Sequence, residues 1–283
     1  MKNIFVILIS FLITSMVYAQ PNVIYIDEDL QIFNQYISYI SSNTQSQELD
    51  ELLEKTAYFF LDKPYTPHTL EIENEESVVV NLREFDCTTY IETVVALTQT
   101  VRSQDYSFEN FIKKLKTLRY RYGIVDGYAS RLHYFTDWLY ENEKGGVLKN
   151  VTVLIGGITE DKQLNFMSTH RTAYSQLKFD DSNLSEIIDV EKEIYERGGI
   201  TYIPKSKIVD IDYRIPHMSI IAFTTSINGL DVTHTGFAFG KDGELTFIHA
   251  SSAKNKVIID SLTVSEYCNL QNTCTGIIVG KLL

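Results

Sequence analysis

Three side chains far apart in the chain are of the types that nucleophilic amide chemistry needs: Cys87, His234 and His249. Cys87 follows Asp86, and Tyr90, Ile91, Val94, Val95, Leu97, Thr98 and Val101 then recur at spacings of three and four. That periodicity predicts an amphipathic helix with Asp86 as its N-cap. Cys87 then stands at the helix N-terminus, where unpaired N–H groups and the dipole favour a thiolate. The plainer alternative is a cysteine used only for packing.

The histidines flank Asp242-Gly243, a two-residue hairpin signal. Such a turn pairs Lys241 with Glu244, which puts His249 opposite Gly236 and His234 opposite Ser251. Alternation then collects His234, Gly236 and Ala238 with Phe247 and His249 on one face, and Phe237 and Phe239 on the other. The two imidazoles become diagonal neighbours, roughly 7–8 Å apart at the backbone. Read chemically, Cys87 attacks, His234 shuttles the proton and His249 fixes the tautomer of His234. Otherwise His249 is a core histidine and His234 a surface strand residue.

The elements that must position these groups are helical first and β-rich last. Residues 29–42 and 47–61 carry amphipathic helical patterns, Val78–Leu82 is a short β-type run, and 108–118 reads as a helix. Val151–Ile155 reads as a strand, and 166–177 and 184–197 read as helices, the latter stopped by Gly198-Gly199. Four β-type runs follow at 220–225, 232–239, 245–250 and 256–260, with Asn228-Gly229 as a second hairpin signal. A block of helices before an antiparallel meander indicates an α+β domain.

Residues 1–19 have a basic Lys2, an apolar core and a Val-Tyr-Ala end, the pattern of a cleaved secretory signal peptide. The expected mature unit is one catalytic domain over 20–283, with a helical lead-in to about residue 80, in the periplasm or outside the cell. No later run approaches the roughly 20 apolar residues of a membrane span. A formal charge of −12 without a basic cluster excludes a nucleic-acid partner. Of three cysteines, Cys268 and Cys274 are close enough to close a small loop and leave Cys87 alone; three reduced cysteines are the alternative. No HExxH motif or other metal-ligand spacing is present, so no metal or cofactor is expected.

Phe-Asp-Cys-Thr-Thr-Tyr at 85–90, Thr-His-Thr-Gly-Phe-Ala at 233–238 and Phe-Ile-His-Ala-Ser-Ser at 247–252 resemble the NlpC-type, papain-like cysteine amidases and endopeptidases of bacterial cell walls. The stretches at 127–138 and 229–234 are similar to the N-acetylmuramoyl-L-alanine amidase-like branch, and the resemblance runs from about residue 50 onward. It implies a papain-like fold with the nucleophile helix packed on an antiparallel sheet. It also implies hydrolysis of the amide between N-acetylmuramic acid and L-alanine in muropeptides, with a preference for the 1,6-anhydro form, by Cys87, His234 and His249. One departure is Met218-Ser219, where the family usually has Gly-Asp. Arg131 is expected as a clamp for substrate carboxylates, or as a structural partner of Asp137; Tyr134 and Asp86 are further candidate substrate contacts. The same triad also suits a γ-D-glutamyl-diamino acid endopeptidase, and a muropeptide-binding module without turnover is the non-enzymatic alternative. Protein partners and physiological role are not legible.

Overall fold

The computed structural model describes residues 23–43, 48–72, 75–241 and 243–283. The expected signal peptide at 1–19 and the turn residue Asp242 lie outside them. A short parallel pair, β1 (Val23–Ile24) and β2 (Val78–Val79), brackets the lead-in helices α1 (Asp27–Asn43) and α2 (Leu49–Phe59). α3 (Cys87–Arg102), α4 (Phe108–Arg119) and α5 (Phe135–Lys144) follow. Next come β3 (Leu148–Asn150), β4 (Ile158–Glu160), the short α6 (Phe166–Thr169) and α7 (Ser175–Lys178), α8 (Asp181–Glu196) and β5 (Ile200–Pro204). The last third holds α9 (Ile208–Ile211), β6 (Ile220–Thr225), β7 (Val232–Lys241), β8 (Glu244–Ser251), β9 (Lys256–Ile259), α10 (Val264–Leu270) and β10 (Cys274–Leu282).

Among the described residues eight strands form one antiparallel sheet in the order β4-β5-β10-β6-β7-β8-β9, with β3 also on β10. Period-2 alternation sends Ile220, Ala222, Phe237, Ile248 and Ile278 into the core shared with the helices. Ile221, Phe223, Ala238, Phe247 and Ile277 enter a second core on the other face. The sheet is therefore buried on both sides, and α10 covers part of the second.

α3 is the central helix. Thr89 to Thr98 are all buried, because α2 and α4 cover it on one side and β7 and β8 on the other. Tyr90 reaches both layers, donating to the Ala57 carbonyl at 3.0 Å and meeting the Phe237 ring at 6.0 Å. Buried Glu92 pairs with buried Arg119 of α4 at 2.7 Å, and Arg119 also donates to the Val79 carbonyl. From the lead-in, buried Asp29 accepts from the Leu82 N–H and the Arg83 guanidinium, which fixes the segment delivering Cys87. No helix among the described residues is long and apolar enough to cross a membrane.

Three sequence expectations are corrected. Residues 151–155 form a turn rather than a strand, with the Ile155 N–H on the Val151 carbonyl and Val153 and Leu154 exposed. The expected helix at 166–177 is broken into α6, a 3-10 turn and α7. Asn228-Gly229 lies inside a longer connection: the β6–β7 ladder shifts register at a bulge between Phe223 and Thr224, and its last pair is Thr224 with Val232. Gly229 stays left-handed there (φ 76°), and its carbonyl holds the N–H groups of Asn165 and Phe166. Cys268 and Cys274 are joined as a disulfide and Cys87 is free.

Candidate active site

Asp86 caps α3 as expected. Its carboxylate accepts from the Thr88 and Thr89 N–H groups at 3.0 and 2.7 Å, and Thr89 Oγ1 returns a bond to the Asp86 N–H. Cys87 is half-buried at the first helical residue. The sequence expectation of an acidified thiol is overturned. Burial first, and then the Asp86 charge, push the thiol up to about 11, outweighing hydrogen bonds from Thr235 and Thr88. The helix terminus is present, yet its cap brings a negative charge with it.

The hairpin register agrees with the sequence reading: Lys241 faces Glu244 and Phe237 faces Ile248. A Cβ on Gly236 would lie 3.0 Å from His249 Cβ and 2.8 Å from the Phe247 ring, so only glycine lets these groups close up. The rings meet, with His234 Nε2 2.5 Å from His249 Nδ1. His249 Nε2 lies 3.0 Å from Asp260 Oδ2. The carboxylate can only accept, so His249 carries its proton on Nε2 and accepts at Nδ1. His234 must then donate from Nε2, which leaves its Nδ1 as a free base. Burial, and for His234 also the neighbouring His249, lower the two rings to about 3 and about 4, so both are neutral at pH 7. Tyr267, Phe247 and Phe223 wall the pair in, with Tyr267 5.7 Å from His234 and 5.9 Å from His249 by ring centroids.

α3 covers the Phe237 side of the sheet, whereas the imidazoles belong to the other. Cys87 and His234 nevertheless both line one cavity of about 130 Å³ at the start of the helix. Thr235 Oγ1 donates to the Cys87 carbonyl at 3.1 Å and ties strand to helix there. Leu132, His133, Phe135, Trp138, Asp231 and Val232 form the remaining walls. A cavity of about 160 Å³ beside Thr136 and Tyr140 contains none of the three catalytic candidates, and its cations Lys162 and Arg197 are engaged by Thr225 and Asp137.

The three expected substrate contacts have protein partners. Arg131 is buried between Glu71 (2.8 Å) and Glu76 (3.5 Å), above the Tyr128 ring. Asp137 pairs with Arg121 and Arg197, not with Arg131. Tyr134 donates to Glu191 at 2.7 Å and accepts from the Met167 N–H, and Asp86 is spent on its cap. Asp260 was not singled out from sequence, nor were Tyr65 and Tyr267. Burial first, and then the Cys87 charge, raise both phenols to about 12, which places them in the field of Cys87. Met218 adopts φ 56°, so the turn keeps the left-handed conformation that a glycine suits, and the Ser219 hydroxyl is buried with no partner among the described residues.

A family model described as N-acetylmuramoyl-L-alanine amidase-like (AmiA-like) matches residues 54–277. An N-acetylmuramoyl-L-alanine amidase from Bacteroides uniformis is 35% identical, with a TM-score of 0.75, over 83% of this chain and 99% of that one. A Bacteroides fragilis structure with a provisional xylanase name is also 35% identical, at TM-score 0.75, over 80% and 99% of the two chains. A Legionella pneumophila protein shares the fold at 21% identity and TM-score 0.66, covering 90% of this chain and 94% of its own. No curated protein matches. With the family model spanning most of the chain and the B. uniformis amidase aligned along nearly its whole length, the chain belongs to the AmiA-like family of N-acetylmuramoyl-L-alanine amidase-like proteins.

Proposed function

We propose that this chain is a cysteine-dependent amidase of NlpC-type, papain-like design. It cleaves the bond between N-acetylmuramic acid, in its 1,6-anhydro form, and L-alanine of exported peptidoglycan fragments. The observation that carries this reading is the hydrogen-bond sequence Asp260–His249–His234, whose open end shares a cavity with Cys87. Sγ attacks the lactyl carbonyl carbon while its proton passes to His234 Nδ1. The developing oxyanion is held in part by the Cys87 N–H at the helix start. The imidazolium returns the proton to the departing alanine nitrogen, leaving a thioester. Water, deprotonated by His234, then hydrolyses the thioester to the lactyl carboxylate and regenerates the thiol.

Glycoside cleavage suits the site poorly. It requires two carboxylates flanking the bond, and the cavity wall has one, Asp231, which is bound to Thr136 and the Val232 N–H. The test is digestion of a defined anhydro-disaccharide tripeptide followed by mass spectrometry. Free sugar plus intact tripeptide is expected, and Cys87→Ala should bring turnover to background while binding persists. Cleavage within the stem peptide would replace this reading with the endopeptidase one, and undiminished turnover by Cys87→Ala would end the cysteine mechanism.

A further inference from the structure

From the 132–138 stretch Leu132, His133, Phe135 and Trp138 line the Cys87 cavity, and two polar atoms of these side chains have no partner among the described residues. His133 Nε2 lies 2.9 Å from the Tyr128 carbonyl. A carbonyl only accepts, so that nitrogen carries the ring proton and Nδ1 is an acceptor. Nδ1 has no hydrogen-bond partner among the described residues. The ring packs 4.4 Å from the Tyr128 ring, which in turn lies under the Arg131 guanidinium. Flipping it would break the bond to the carbonyl. Burial and Arg131 lower its pKa to about 3, so the acceptor stays neutral.

Trp138 lines the same cavity at 2% exposure, and its indole N–H is buried with no partner among the described residues. A native interior rarely leaves such a donor unmade. Leu132, Phe135 and Val232 supply apolar wall. A neutral acceptor, a donor and apolar surface in the residues of one cavity wall complement a secondary amide bearing a methyl.

We propose that His133 is a specificity-determining residue that accepts the N–H of a secondary amide next to the scissile bond, with Trp138 as donor to its carbonyl. This rests on the amidase reading above. Two groups in that substrate have the chemistry: the 2-acetamido group of the sugar and the peptide amide following L-alanine.

The test is calorimetric binding to full-length Cys87→Ala protein, with and without His133→Phe. The ligands are an anhydromuramoyl tripeptide, its 2-acetoxy analogue in which an ester oxygen replaces the acetamido N–H, and its analogue N-methylated at the amide after L-alanine. His133→Phe should weaken the intact ligand about 10–100-fold, and that loss should vanish on the ligand lacking the N–H that His133 reads, which identifies the group. His133→Gln, keeping a donor and an acceptor, should recover most of the affinity. If His133→Phe does not fold, His133→Leu makes the same comparison. No loss on the intact ligand, or equal loss on all three, overturns the assignment. Because the readout is binding, a wild-type chain without turnover would count against the amidase reading and not against His133.

Discussion

Two polar networks lie around α3, and they follow opposite rules. Around α4 and α5, buried and half-buried guanidiniums meet carboxylates: Arg119 with Glu92, Arg121 and Arg197 with Asp137, Arg131 with Glu71 and Glu76. Each of these charges has a counter-charge, so little is left for a substrate. On β7 and β8 and just past β9, an imidazole meets an imidazole and then a carboxylate, and the series ends at the cavity that His234 shares with Cys87. Closed networks hold the fold, and the open one can move a proton. Arg131 and His133 show the contrast within three residues, the first enclosed by acids and the second lining the cavity.

The largest effect should come from opening a closed network. Glu92→Leu leaves the Arg119 charge buried and unpaired, and unfolding stability should fall by about 3–5 kcal/mol. Urea denaturation reads this, and a loss below about 1 kcal/mol would mean that the pair is dispensable. Next is Asp260→Asn. An amide N–H facing His249 Nε2 reverses the tautomer sequence and puts a proton on His234 Nδ1, so kcat should fall about a hundredfold with the fold retained. Unchanged kcat would break the comparison.

Acid acts on the open network through both rings. Their folded pKa values lie below the unfolded value near 6.5. Below that value the unfolded chain takes up protons that the folded chain refuses, and stability is lost as pH falls toward 4 to 3. Between pH 7 and pH 5 the loss should be about 2 kcal/mol per ring, seen as a lower urea midpoint. The smallest effect concerns the thiol. With Cys87 near 11, iodoacetamide labelling should rise about tenfold per pH unit from pH 6 to 9. A plateau below pH 7 would reveal a preformed thiolate–imidazolium pair.

Much of this site could be read from residue order. The α3 ladder and its Asp86 cap are local signals, and Asp242-Gly243 sets a register in which two histidines fifteen positions apart must meet. Asp260 was harder, because it depends on the β8–β9 register. There Ser251 pairs with Lys256 across four residues that have no comparable turn signal, with Asn255 at φ 55°. Given that register, His249 faces Ile258 and Asp260 falls diagonal to it on the same face. Arg131 misled because its partners Glu71 and Glu76 lie more than fifty residues earlier, in a segment without periodicity. The helix end alone would favour a thiolate at Cys87, but desolvation depends on the packing of distant segments and acts the other way.

The Cys268–Cys274 bond has a practical consequence. It withdraws two of the three sulfhydryls from circulation, so any maleimide or haloacetamide dye can attach at one atom of the native protein. Label stoichiometry then becomes a direct titration of the free Cys87 thiol, and slower labelling in the presence of muropeptides reports occupancy without a cleavage assay.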